Sequence, residues 1–526
     1  MTYGETLHPS APPPGVTPKR PPSTPPTTPL TPPPNRPPTL TTCLRAAAHH
    51  TPDALAVSTR GSAAWQGMTF AELHDRAFTA AANATAWERP AGPVIVLVDN
   101  TPVCVAALLG LFLAGVDTVL VERENSHLGD ARSVLHRLPP AGLVGPSDVQ
   151  VVPGLAQRTF EELAHPPVPS GVVVKRENPA TAVLQLTSGS TGEPRVALQT
   201  LGSTLAGGVL YRDIHRITAA DTVLAMVPLS HSFGLVGALA TALVSGAGLR
   251  SMTRFRPGAV LEALDAGATV LLGTPLVYQL LTPVLPHAGP SGNVRVALSS
   301  GGPLTNASAR TAAARLGVPV HRVYGSTETG LIACEHDRDD PWPADGTGVM
   351  APGVDWRVRT GRSRTARQGR GQLLVRTSTM FEGYADGGGA PPMEGGLLAC
   401  GDLTEVDERG HVFVVGRKDA FVNVGGRKVS PRRVENVLAE HPGVREAQVF
   451  GAPGRTGEEE IHAALALRPG NDATAVLTFC RARLMPYEVP HRVHVLTTLP
   501  RTGMGKIDRH RLREIAAAGH RNGDNR

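Results

Sequence analysis

The segment LTSGSTGEPR places Thr187, Ser188, Gly189, Ser190, Thr191 and Gly192 in one unbroken run of Ser, Thr and Gly directly after the apolar stretch TAVLQL. Such a run exposes backbone N–H groups and hydroxyls with no bulk to block a ligand, which suits a polyphosphate. A flexible linker has similar composition, but this run is short and follows a β-favouring stretch. The G-x-x-x-x-G-K-[ST] phosphate loop is excluded, because Gly192 is followed by Glu193, Pro194 and Arg195. Any nucleotide held here is held by another geometry, and the rest of the chain must supply the metal ligand, the nucleoside contacts and the chemistry.

Four further segments carry residues of the right kind. In VHRVYGSTETG a strand ends in an exposed Tyr324, then Gly325, hydroxyls and one carboxylate. Tyr324 offers a flat face to a purine, Thr327 a hydroxyl to a phosphate, and Glu328 a hard oxygen to Mg²⁺. The same segment also reads as a polar loop capping a helix. In ALSSGGPL, Gly301 and Gly302 close an apolar strand and let a flat ligand approach the backbone. Asp402 of CGDL and Arg417 of GHVFVVGRKD sit beside β segments, suited to vicinal ribose hydroxyls. Lys506 lies in the Gly-rich turn LPRTGMGKIDR, although most Lys are ordinary surface residues.

The elements that would position these residues read as α/β. Short apolar strands (PVIVLV, DTVLV, AVLQL, TVLAMV, ATVLLG, NVRVALSS) alternate with Ala/Leu-rich helical stretches, the pattern of mostly parallel layered sheets. From about Gly353 the texture turns β-rich (VDWRVRT, GQLLVRT, GHVFVVGR), and a smaller α+β unit follows Arg417. There KVSPRRVENVLAEHPGV reads as helix, and REAQVFGAP and EIHAALALRP as strands. The expected division is a disordered Pro-rich tail over 1–40, a large N-terminal α/β domain with layered sheets and a β-rich subdomain over 41–417, a small α+β C-terminal domain over 418–515, and a polar tail over 516–526.

Composition narrows the function. A chain of 526 residues accommodates two or more domains, and with 4% aromatics its core is built from Ala, Val and Leu. A net charge of +6 with no dense Lys/Arg stripe suits a small anionic substrate and gives no reason to expect nucleic acid. Cys43, Cys104, Cys334, Cys400 and Cys480 show no metal-like spacing and read as reduced, hence a cytoplasmic protein. MTYGETLHPSAPPP lacks the apolar core of a signal peptide. The apolar run Pro102–Val116 is too short to span a membrane, and Thr222–Leu249 is interrupted by PLSHSFG; both read as buried core.

Taken in order, LTSGSTGEPR, VPLSHSFGL, YGSTETG, GDL…GRKDAFVNVGGRKVSPRRVE and LPRTGMGKIDR resemble the adenylate-forming superfamily of acyl- and aryl-CoA ligases, peptide-synthetase adenylation domains and beetle luciferases, over about residues 41–515. The resemblance implies two half-reactions with ATP and Mg²⁺: a carboxylate attacks the α-phosphate and releases pyrophosphate, then a thiol displaces AMP. It implies that Thr187–Gly192 hold the β- and γ-phosphates, and that Tyr324 stacks on adenine beside Gly301, Gly302 and Gly325. Thr327 would meet the α-phosphate, Glu328 the metal, and Asp402 and Arg417 the ribose. Lys506 would bridge the substrate carboxylate and the α-phosphate. Asp419 aligns with the hinge about which a mobile C-terminal domain turns.

In PLSHSFGL, His231 matches the acyl-CoA ligase form, lining the carboxylate pocket, and Ser232 stands near the place where amino-acid-activating domains carry Asp. A buried ammonium without a partner is costly, so an aryl or aliphatic acid is expected, in a pocket walled by His231, Phe233, Gly237, Gly301, Gly325, Leu331 and Ile332. Three positions depart from the pattern: Arg195-Val196 replaces Lys-Gly, Cys400 replaces Thr, and Asn423 stands where Lys is common. The thiol is expected to be CoA; the phosphopantetheine of a partner acyl carrier protein is the alternative, and a non-catalytic nucleotide-binding protein is the reading from another class.

Overall fold

The structure, a computed structural model, describes residues 38–62, 64–123, 134–149, 154–166, 172, 177–188, 194–286, 293–337, 341–361, 364–387, 389–417, 422–424, 427–453, 459–501, 507–509 and 511–516. Apolar strands assemble into two large sheets. In the first, of nine strands, Val320–Ser326, Val296–Ser299, Val270–Gly273, Thr222–Ala225, Gly248–Met252 and Leu55–Arg60 run parallel as consecutive neighbours. In the second, of seven, Ala182–Ser188, Thr118–Glu122, Val94–Val98, Gly142–Gly145 and Gln157–Thr159 run parallel, and Pro194–Thr200 returns antiparallel. Parallel sheets are covered on both faces, which is why strands such as Val94–Val98 are buried throughout.

Helices fill the space between them. Phe70–Ala86 begins at a reciprocal cap, with the Glu72 N–H on Thr69 Oγ1 at 3.2 Å and the Thr69 N–H on Glu72 Oε2 at 2.8 Å. Pro102–Leu113 starts with Pro after the Thr101 cap and is buried along its length but for half-buried Val103. The two helices touch at Gly110, where a Cβ would lie 2.3 Å from the Ala80 Cβ. The Thr222–Leu249 run is likewise buried core, but part of it, Phe233–Ala240, is π-helical before Thr241–Ser245 becomes α-helical. No helix among the described residues is long and apolar enough to cross a membrane.

The β-rich texture after Gly353 is an antiparallel sheet containing Asp355–Arg359, Gly369–Arg376, Leu397–Val406 and Val412–Arg417. Further on, Val444–Pro453, Glu459–Leu467 and Arg492–Val495 form a three-stranded sheet with its own apolar core around Val434, Leu438 and Ile461. The helix read over KVSPRRVENVLAEHPGV is shorter than expected, Pro431–Glu440, because Arg427–Val429 pairs as a strand with Val422–Val424. β-Branched Val429 favours that strand, and Pro431 and Pro442 bracket the helix.

Candidate active site

In open parallel sheets ligands lie beyond the carboxyl ends of the strands, and Thr187, Gly301, Tyr324 and Thr327 lie at or just past such ends. Ala182–Ser188 delivers Thr187, buried and with a hydroxyl that has no hydrogen-bond partner. The chain returns in register, Thr187 opposite Arg195 and Ser188 opposite Pro194. Gly189, Ser190, Thr191 and Gly192 lie outside the described residues.

The strand carrying Tyr324 runs on to Ser326 and turns back through Thr327–Thr329 into Gly330–Cys334. The YGSTETG segment is therefore the tip of a β-hairpin and not a helix cap. It is tight: a Cβ on Gly325 would sit 2.2 Å from the Gly330 carbonyl oxygen. Tyr324 is half-buried, not exposed, and its phenol donates to Asp402 Oδ2 at 2.7 Å. Asp402 and Arg417 face each other across paired strands, with Arg417 Nε 3.8 Å from Asp402 Oδ1. Ser300 Oγ donates to the Val323 carbonyl at 3.1 Å, which fixes the Gly301–Gly302 turn beside Tyr324. Gly301 has φ +86°, and a Cβ on Gly302 would meet only Pro275, at 3.9 Å.

Two glutamines that the sequence reading passed over hold the hairpin and the PLSHSFG segment beside it. Gln199 Nε2 donates to the Thr327 carbonyl at 2.6 Å, and Gln185 Nε2 to the Ser230 carbonyl at 2.7 Å. Both are buried in otherwise apolar strands, and that is the signal that could have found them. Glu328 is held twice: its carbonyl accepts from Phe381 N–H at 2.9 Å and its Oε1 from the Tyr384 phenol at 3.2 Å. Burial, with Glu328 beside it, pushes the Tyr384 phenol up to about 12, so it remains a donor across the neutral range.

Around PLSHSFGL, the Leu229 N–H donates at 3.0 Å to Oδ1 of Asn100, a buried residue at φ +65°. His231 follows, with Nε2 2.9 Å from Glu122 Oε1 at the end of Thr118–Glu122. PLSHSFGL itself contains no carboxylate; Glu122 comes to it from another strand and is engaged by the imidazole. The Ser232 hydroxyl donates to Gln185 Oε1 at 2.8 Å and lies 3.1 Å from the Thr327 hydroxyl. Gly237 faces Phe233, and a Cβ there would lie 2.9 Å from Leu272 Cδ2 and 3.1 Å from Phe233 Cδ2. Leu331 and Ile332 pack within the main core. Asp419, Lys506 and residues 1–37 of the Pro-rich tail lie outside the described residues, as does the side chain of Asn423, whereas Leu40, expected at the end of that tail, is fully buried and opens the helix Leu40–His50 under a Thr39 cap.

The partnerless buried hydroxyl of Thr187, the open face at Gly302 and the shared hydrogen bond of Tyr324 and Asp402 fit a triphosphate nucleotide. No cluster of three or more His, Cys, Asp or Glu is present among the described residues. A hard cation bound at Glu328 would thus take most of its ligands from phosphate and water, as Mg²⁺ commonly does.

Comparison with known proteins identifies the family. The AMP-binding enzyme family matches residues 44–385, and the AMP-binding enzyme C-terminal domain matches residues 433–506. An indoleacetate–CoA ligase of Aromatoleum aromaticum is 30% identical over 66% of this chain and 70% of its own length. A 2-succinylbenzoate–CoA ligase of Geobacillus kaustophilus is 29% identical over 91% of this chain and 98% of its own. The o-succinylbenzoate coenzyme A synthetase of Bacillus subtilis, solved in complex with ATP and magnesium ion, superposes with a TM-score of 0.78 at 25% identity, covering 89% of this chain and 98% of that one. The chain belongs to the AMP-binding enzyme family, within the adenylate-forming superfamily. It is an enzyme, an AMP-forming acid–thiol ligase.

Proposed function

We propose that the protein activates an aryl or hydrophobic carboxylic acid with ATP and passes the acyl group to CoA. The observation that carries the choice of acid is Ser232, which meets neutral groups, Gln185 and Thr327. Glu122, the carboxylate bonded to this segment, is taken up by His231. A substrate ammonium would meet only neutral partners at Ser232, and it could pair with Glu122 only by displacing His231. The names of the relatives, aryl-bearing acids among them, support the same class.

In the first half-reaction a substrate carboxylate oxygen bonds to the α-phosphorus as the bond to pyrophosphate breaks. Thr187–Gly192 hold the β- and γ-phosphates, Tyr324 with Gly301, Gly302 and Gly325 the adenine, and Asp402 with Arg417 the ribose. Thr327 and Lys506 stabilise charge at the α-phosphate, and Lys506 also offsets repulsion between the two approaching anions. Magnesium bound at Glu328 would neutralise the departing pyrophosphate oxygens. In the second, a thiol attacks the acyl carbon and AMP leaves, after the C-terminal domain beyond the 417–420 junction turns about Asp419 and withdraws Lys506.

ATP–pyrophosphate exchange across aryl, medium-chain and α-amino acids tests the reading, followed by product analysis with CoA or a phosphopantetheinylated carrier protein. Aryl or medium-chain acids should be best, with α-amino analogues at least about tenfold worse. A free amino acid as best substrate overturns the choice of acid, and exclusive loading of the carrier protein overturns the choice of thiol.

A further inference from the structure

We propose that Arg195 is a positioning residue that sets the Glu328 carboxylate through Tyr384, so that the strand leaving the Ser/Thr/Gly loop and the metal-binding carboxylate form one unit. The inference rests on the reading of Glu328 as the metal ligand.

A cation at the exit of a phosphate loop would ordinarily be assigned to the phosphates. Here the guanidinium is engaged elsewhere. Arg195 Nε donates to Asp386 Oδ2 at 3.0 Å, and Nη2 donates to the Gly389 carbonyl at 3.2 Å. Its Cζ lies over the Tyr384 ring, 3.7 Å from the centroid. The Asp386 side chain is fully buried, so a carboxylate there requires a close cation. Tyr384 belongs to the short strand Gly383–Tyr384, which pairs with Pro194–Thr200, Tyr384 opposite Ala197. The same segment grips Glu328 at two points, the Phe381 N–H on its carbonyl and the Tyr384 phenol on its carboxylate.

This places a physical requirement on the position where the sequence departs from Pro-Lys-Gly. A Lys would preserve the charge but neither the flat stack on Tyr384 nor the forked donation to Asp386 and Gly389. Arg195 reaches the Glu328 carboxylate through two contacts, its stack on the Tyr384 ring and the hydrogen bond from the Tyr384 phenol to Glu328 Oε1.

The test is metal affinity, not turnover alone. Binding of Mn²⁺ to the full-length enzyme saturated with α,β-methylene-ATP is followed by electron paramagnetic resonance in the wild type, Arg195→Lys, Tyr384→Phe, the double variant and Glu328→Gln. Arg195→Lys and Tyr384→Phe should each weaken Mn²⁺ by about fivefold, with the double variant no worse than either, the sign of residues acting in series. Unchanged affinity in Tyr384→Phe, or losses that multiply in the double variant, overturns the proposal while the reading of Glu328 stands. Unchanged affinity in Glu328→Gln overturns that reading and the proposal with it. Tyr384→Phe keeps the ring and the stack, so the outcome does not depend on Arg195→Lys folding normally.

Discussion

The phenol of Tyr324 donates to Asp402 Oδ2 across 2.7 Å, linking the residue placed to stack on a purine to the residue placed to hold a ribose. The two stand 78 positions apart, on strands of different sheets. Burial, with Cys400 and Asp402 nearby, raises the Tyr324 phenol well above its ordinary value, so the proton stays on tyrosine and the carboxylate stays an acceptor. Ring position and carboxylate orientation are therefore a single setting.

Tyr324→Phe preserves the ring and releases Asp402. ATP affinity is expected to fall about tenfold, roughly 1.4 kcal/mol, the scale of one hydrogen bond to a charged group. Calorimetric titration with ATP measures it, and undiminished affinity would separate Asp402 from the ribose.

Thr187 holds a buried hydroxyl without a partner among the described residues. Thr187→Val should leave the melting temperature of the nucleotide-free enzyme unchanged or higher, because a desolvated hydroxyl stabilises nothing. The thermal shift produced by ATP should shrink, with affinity down about tenfold. Melting curves with and without ATP decide both halves; a large loss of stability without nucleotide would mean the hydroxyl serves the fold.

Gly237→Ala drives a methyl into the contact between Leu272 and Phe233, at 2.9 and 3.1 Å. Overpacking of this kind costs about 1–3 kcal/mol when backbone cannot move. Phe233 is half-buried and can yield, so the expected effect is a smaller acyl pocket: kcat/KM falls most for the bulkiest acids of the panel. A uniform loss across all acids would place Gly237 in the core and outside the pocket.

Lys506→Ala should lower pyrophosphate exchange by about a thousandfold, the scale of a preorganised charge acting on the transition state. ATP binding should change by less than about threefold. Exchange near the wild-type rate removes Lys506 from the chemistry.

His215 is buried against Tyr211 and His321. Burial, with His321 adding to it, brings its imidazole down to about 3. The folded protein keeps it neutral, while the unfolded chain protonates near 6.5. Stability from this residue is thus present above about pH 6.5 and is lost as pH falls toward 3, by up to about 1.4 kcal/mol per unit. Urea denaturation from pH 7 to 4.5 should show a shallower slope for His215→Phe, and identical slopes would refute the assignment.

Much of the site was legible because the responsible signals are local. Apolar β-branched runs form strands wherever a sheet accepts them, and Gly, Ser and Thr clusters at their ends leave backbone donors open. Thr187, Gly301, Tyr324 and Asp402 could all be named from segments a few residues long. The helix read over 428–444 shows the limit: helical periodicity continued past a point where Val429 finds a strand partner, and pairing outweighed propensity.

The sequence by itself determined the class of chemistry through the order of its motifs, whose resemblance to the adenylate-forming superfamily implies which groups meet a phosphate, a purine or a metal. Only the tertiary structure decided how those groups are held. His231 meets Glu122 across 109 positions, and Arg195 meets Asp386 across 191. No local preference encodes such pairs. They exist because the order of strands within a sheet is not their order in the sequence. Once brought together, buried carboxylates, amides and phenols must take partners from whatever the fold places beside them.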